Sequence, residues 1–272
     1  MKKTVVLLLA CCALHVSAQA DVTPVPDMHA AIQAQRDGRY DEALRLVRQQ
    51  FARIGNSDRK SQRDYGFTIF VWGQLVDESA AARTAMMSER DEQVRRLLDG
   101  DATFCSDGYM PLSRFHVIVD LNRILRDERA TYRLVSQLLA DNPTLVGKEL
   151  YLALPAIVDA GDYALAVQHI KDPLSRLPSL NRLALELPLF PDARTPPRLA
   201  AELSIFMGEV ALLSKSLTGL GREAEAKSLR QAALTGLQSA ELRALASREL
   251  NEPGAITQAI VDHQMNEGLG KN

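Results

Sequence analysis

The sequence is poor in the features that most often betray a function. Only 5% of its 272 residues are aromatic, with a single Trp, and the formal charge is only −2. Beyond the first twenty residues there is no run of 18 apolar residues, so no later membrane span is expected. It has no H-E-x-x-H, G-x-S-x-G, P-loop or C-x-x-C, and so no recognised metalloprotease, hydrolase, nucleotide or thiol-redox signature. The acidic balance argues against a nucleic-acid partner.

The first thirty residues are more informative. "MKK" is a basic start, "TVVLLLACCALHV" an apolar core, and "SAQA" places small residues at Ala18 and Ala20. This is the form of an export signal, with residues 1–20 removed and Asp21 as the new first residue. "LLAC" offers an alternative, a lipoprotein-type cleavage that would leave the chain lipid-anchored through Cys11. Cleavage after Ala20 removes Lys2 and Lys3, which lowers 32 basic residues to 30 against 34 acidic. It also removes Cys11 and Cys12, so Cys105 stands alone and no internal disulfide can form. A lone Cys of this kind is expected to be buried as a small hydrophobe. The expected location is the periplasm.

What is there is helical pattern. Leu44, Val47, Phe51 and Ile54 step by three and four, with Asp41 and Glu42 in the first turn. "YGFTIFVW" (residues 65–72) has the β-branched and aromatic content of a strand, but no comparable strand exists to pair with it. At helical spacing it is apolar nearly all round, as an interior helix is. Residues 80–98 form one helix or two joined near Met87, and residues 99–111 a connecting loop. Further helices follow in "LSRFHVIVDLNRIL", "ATYRLVSQLLADNP", "GKELYLALPAIVDA" and "YALAVQHIK". The most regular stripe is Leu199, Leu203, Phe206, Val210, Leu213 and Leu217.

Five prolines between 178 and 197 mark the best boundary. The expected organisation is therefore an export signal at 1–20, an N-terminal helical-repeat region at 21–187 and a Pro-rich connection at 188–197. A C-terminal helical region at 198–267, packed on the same stack, and a tail at 268–272 complete it.

One punctuation occurs twice. "GRYDEALRLV" has Gly38, Tyr40 and Ala43; "GDYALAVQHI" has Gly161, Tyr163 and Ala166 in the same places. "GREAEAKSLR" repeats it in part with Gly221 and Ala226, and aligning the turns sets Arg126 opposite Gly161 and Thr131 in the Ala place. These segments resemble the inter-helix turn and second helix of the tetratricopeptide repeat, in degenerate form. The resemblance implies an all-α fold, a right-handed α-solenoid of antiparallel helix hairpins. It also implies a function in protein–protein interaction or assembly within a bacterial cell envelope, with an envelope protein or peptide as partner. No cofactor and no metal is expected.

Candidate site residues are few. Arg123, Arg126, Arg129 and Arg133 form a basic stripe suited to acidic side chains, a terminal carboxylate or a phosphate. Asp99, Asp101, Thr103 and Asp107 alternate like a calcium loop but lack its Gly and closing Glu. His263 and Glu267 lie one helical turn apart, too few for a metal site. An all-helical hydrolase of a cell-envelope polymer is the alternative reading, and it needs acids such as Glu149, Asp159, Glu186 and Glu202 to converge. A fixed subunit of a secretion or polymer-export complex is a third.

Overall fold

A computed structural model describes residues 26–56, 64–105, 111–192 and 195–269. Residues 1–20, Cys11 and Asp107 lie outside these. The described chain is all-α apart from one small hairpin, and no described helix is long and apolar enough to cross a membrane. It divides into two compact units, Ala20–Ala160 and Gly161–Asn272.

The first unit runs α1 (Pro26–Arg36), α2 (Tyr40–Gly55), α3 (Tyr65–Glu78), α4 (Ala80–Leu98), β1 (Thr103–Cys105), β2 (Leu112–Ser113), α5 (Arg114–Leu125), α6 (Glu128–Asp141) and α7 (Leu154–Asp159). Each helix packs on the next, and α1, α2 and α3 also reach the next but one. The doubtful segment 65–72 is helical. It buries Ile69, Val71, Trp72, Leu75 and Val76, with Phe67 and Phe70 partly covered. Trp72 meets Phe51 edge-on at 5.4 Å, and Phe51 meets Phe104 at 5.0 Å, so the aromatic cluster is core. Truncating a buried aromatic of this kind typically costs about 3–5 kcal/mol. Along α2 the buried face is Ala43, Leu46, Val47, Gln50, Phe51 and Ile54; Leu44 lies at its edge.

Two expectations are corrected here. Residues 99–111 are not simply a loop: Thr103 pairs with Ser113 and Cys105 with Leu112 in an antiparallel hairpin. The signal was hidden because the strands are too short to show alternation, and the hairpin is held by side chains from elsewhere. Arg114, fully buried, donates to the carbonyls of Asp101 (2.8 Å) and Thr103 (2.7 Å), to the Asp101 carboxylate (2.7 Å) and to Gln93 of α4. A buried guanidinium is tolerable only with such a full set of acceptors. The second correction concerns "GKELYLALPAIVDA", expected to be one helix. The Pro155 ring clashes with the carbonyl four residues back and offers no N–H, so the α-ladder starts only at Leu154. The stretch before it, Gly147–Ala153, winds as a tighter 3-10 helix.

The second unit contains α8 (Tyr163–His169), α9 (Leu177–Glu186), α10 (Arg198–Gly219), α11 (Glu223–Gly236), α12 (Ala240–Asn251) and α13 (Ala255–Leu269). Its plan differs from the first: α10 is central and packs on all five of the others. The proline run does not separate units. Pro178 opens α9, where a missing N–H costs nothing, and Leu180, Leu189 and Leu199 on either side of the run share one core. His263 on α13 bonds the Pro191 carbonyl at 2.9 Å and stacks on Phe190, which ties the run down. Asn181 accepts from Gln238 N (3.0 Å) and donates to Gly236 O (2.9 Å), and the Glu249 carboxylate caps α13 through Gly254 N and Ile256 N, both 2.8 Å.

Close approach is built into α10. A Cβ on Gly219 would lie 2.2 Å from two atoms of the Tyr163 ring, whereas one on Gly208 of the same helix would meet nothing within 4 Å. Gly219→Ala is therefore expected to destabilise by about 1–3 kcal/mol through overpacking. Gly208→Ala should stabilise by about 0.5–1 kcal/mol through backbone entropy. Urea midpoints of the two variants measure both signs.

Asp101 makes the hairpin pH-dependent. Partial burial alone would raise its pKa, but hydrogen bonds from Arg114 and Arg96, with their charges, outweigh it and hold the carboxyl below the usual aspartate value. A carboxylate depressed by folding contributes stability above its unfolded pKa of about 3.9. That contribution disappears as pH falls through the lower, folded value. Asp101→Asn is expected to lower stability at neutral pH and to flatten its decline below about pH 4, read from denaturant midpoints across pH.

Candidate functional site

The turn between α5 and α6 is the best-defined surface feature of the first unit. α5 ends at Leu125, and Arg126 then takes the left-handed conformation, φ 60° and ψ 40°. Arg126 N bonds Arg123 O at 3.1 Å and Asp127 N bonds Asn122 O at 2.9 Å, which closes the helix end. Asp127 caps α6 by accepting from Ala130 N at 3.1 Å.

Arg90, on α4 and only 11% exposed, supports this turn. Its guanidinium donates to Asn122 Oδ1 (2.8 Å) and Asp127 Oδ2 (3.2 Å), and Asn122 in turn donates to the buried Thr131 hydroxyl at 3.1 Å. Beside it lies a cleft of about 260 Å³ lined by Arg126, Asp127, Glu128, Arg129, Ala156, Asp159 and Ala160. Ala156 of α7 and Ala160 just past its end are the two small residues of the lining. The lining is polarised, with two guanidiniums and three carboxylates.

The four arginines of the expected stripe are spread over two helices and a turn. Arg123 lies on α5 and pairs with Asp120 at 3.1 Å. Arg126 is 62% exposed and pairs with Asp77 at 3.2 Å. Arg129 and Arg133 are exposed on α6, and of the four only Arg126 and Arg129 line the cleft.

The repeat residues have a clear physical meaning. Gly38, Gly161 and Gly221 have φ of 74°, 84° and 73°, and Arg126, aligned with them by sequence, shares their conformation. Five residues after each stand Ala43, Thr131, Ala166 and Ala226, all buried. Tyr163 covers Gly219, while Tyr40 packs at the edge of the first core.

The acids named for a hydrolase are placed apart in their roles. Asp159 lines the cleft, Glu149 accepts from the Ser113 hydroxyl, Glu202 lies 3.9 Å from Arg176, and Glu186 is exposed. Asp99 and Asp101 of the calcium-like run bind Arg95, and Arg96 with Arg114. Cys105 is 2% exposed and unpaired, and burial raises its thiol pKa against a backbone hydrogen bond from Leu112. Such a thiol stays protonated and inert. Among the described residues no three His, Cys, Asp or Glu side chains gather to hold a metal.

Sequence reading missed Arg90, whose role depends on a contact between helices, and it missed the neighbourhood of His116 and Asp120. Their spacing of one helical turn was the available signal. The chain matches no protein-family model, no curated protein and no solved structure.

An arginine at φ 60° is strained by about 1–2 kcal/mol relative to a right-handed position. Arg126→Gly is expected to leave stability unchanged within about 1 kcal/mol, the strain relieved being offset by the entropy of glycine. Arg126→Val, β-branched, should lose about 1–2 kcal/mol more than the glycine variant. Thermal unfolding of the pair measures the difference.

Proposed function

We propose that this is an exported, tetratricopeptide-like helical-repeat protein that works by binding an envelope protein or peptide, with Ala20–Ala160 forming a right-handed stack of helix hairpins. The observation that carries the reading is the recurrence of one turn. A left-handed residue, followed at once by the N-cap position of the next helix and by a buried small residue five places on, occurs at Gly38, Arg126, Gly161 and Gly221. The consecutive packing of α1 to α7 supports it, since such hairpins bury their apolar faces by stacking.

The cleft with Arg126 and Arg129 is the proposed contact point. Its guanidiniums suit a carboxylate on the partner, and its carboxylates reject a uniformly acidic one. A partner attached permanently, as in a secretion or polymer-export complex, would use the same surface.

The test is affinity isolation of the tagged chain from cross-linked envelope of its native cell. One dominant partner is expected, reduced at least tenfold when Arg126, Arg129 and Arg133 are all changed to Ala, about 1.4 kcal/mol of binding. No partner above background, or one unaffected by the triple change, overturns the reading. The intact mass of the same sample distinguishes Asp21 from a lipidated Cys11 as first residue.

A further inference from the structure

We propose that Tyr65, His116 and Asp120 form a binding site for a first-row transition-metal ion. The three residues come from two packed helices, Tyr65 from the start of α3 and the others one turn apart on α5. The Tyr65 hydroxyl donates to Asp120 Oδ2 at 3.0 Å, and His116 Nε2 lies 3.4 Å from that same oxygen. A phenol and an imidazole thus both approach one carboxylate oxygen.

The two separations from Asp120 Oδ2, 3.0 and 3.4 Å, are in the range of ligands sharing an ion. Bonds of about 2.0–2.2 Å to nitrogen and oxygen, at octahedral to tetrahedral angles, place neighbouring donor atoms about 2.8–3.5 Å apart. A cation entering here displaces the phenol proton to solvent and takes the Oδ2 electron pair that now accepts that proton.

The other carboxylate oxygen is already fixed. Arg123 Nη1 bonds Asp120 Oδ1 at 3.1 Å, which orients the carboxylate as outer hydrogen bonds orient ligating groups elsewhere. His116 and Asp120 side chains are 32% and 18% exposed, enough for an ion to enter and for water to complete its coordination. The imidazole favours zinc, copper or iron over calcium and magnesium, which prefer all-oxygen sets. The tyrosine supplies the third donor beside the imidazole and the carboxylate.

The test uses the purified chain, stripped with a chelator and titrated separately with Zn(II), Cu(II) and ferric citrate. Equilibrium dialysis with elemental analysis is expected to find one ion retained per chain. His116→Ala and Asp120→Asn should each weaken retention at least tenfold, and Tyr65→Phe should remove a phenolate-to-metal absorption band from the Cu(II) or ferric form. His169→Ala, at an exposed histidine in α8, should change nothing. Tyr65→Phe and Asp120→Asn are nearly isosteric, and far-ultraviolet circular dichroism confirms that each variant folds. Failure of all three ions to bind overturns the proposal, as does undiminished retention by His116→Ala and Asp120→Asn; the cluster is then a hydrogen-bonded tie between α3 and α5.

Discussion

The architecture depends on a backbone reversal made by a single left-handed residue. A helix leaves its last carbonyls without partners, and a left-handed residue just past the end lets the chain fold back and supply them. The bonds are explicit here. Arg39 N reaches Ala34 O, Asp101 N reaches Arg96 O, Asp127 N reaches Asn122 O and Arg222 N reaches Leu217 O, all between 2.8 and 2.9 Å. The residue that completes the bond after Gly38, Arg126 and Gly221 is also the N-cap of the next helix. Two residues therefore end one helix and begin another. With so little chain between them, the two helices must lie side by side, and the small buried residue at the next turn allows close contact.

Helix pairs formed this way still need orientation, and buried guanidiniums supply it. Arg90 ties α4 to the α5–α6 turn, while Arg114 ties α5 to α4 and to the hairpin. Replacing such an arginine together with its partners by well-packed apolar residues need not reduce stability, whereas removing the arginine alone leaves its acceptors unpaired. What such groups add is discrimination. A misplaced α4 or α5 would leave a buried charge unpaired, at a cost of several kcal/mol, so the alternative packings are excluded more strongly than the native one is favoured.

Helix positions were legible in the sequence because they are written in local periodicity. The turns were legible too, and the alignment that set Arg126 opposite Gly161 anticipated a shared left-handed conformation that composition alone would not suggest. Three things were illegible for one reason, their dependence on contacts far apart in sequence. The hairpin at Thr103–Cys105 exists because Arg114 holds its carbonyls. The proline run reads as a boundary, yet His263, 72 residues away from Pro191, bonds its carbonyl, and Leu189 and Leu199 beside the prolines share one core. The cleft arises where α7, shortened by Pro155, meets a turn supported by Arg90. Local sequence shows where a chain bends; it shows poorly what holds the bend.

Arg126 connects this account of stability with the proposed binding role. Glycine is the usual solution for its conformation and the described chain adopts it at six positions of positive φ. The arginine carries strain of about 1–2 kcal/mol. Its exposed pair with Asp77 returns at most about 1 kcal/mol, and avoiding the entropy of glycine about as much again. The sum lies near zero, so stability alone gives no reason for a charged side chain at this turn. The proposed contact point would give one: the turn that carries Arg126 is held by Arg90 through Asn122 and Asp127, and Arg126 lines the polar recess. A donor carried on a held backbone has less freedom to lose on binding than one carried on a mobile loop.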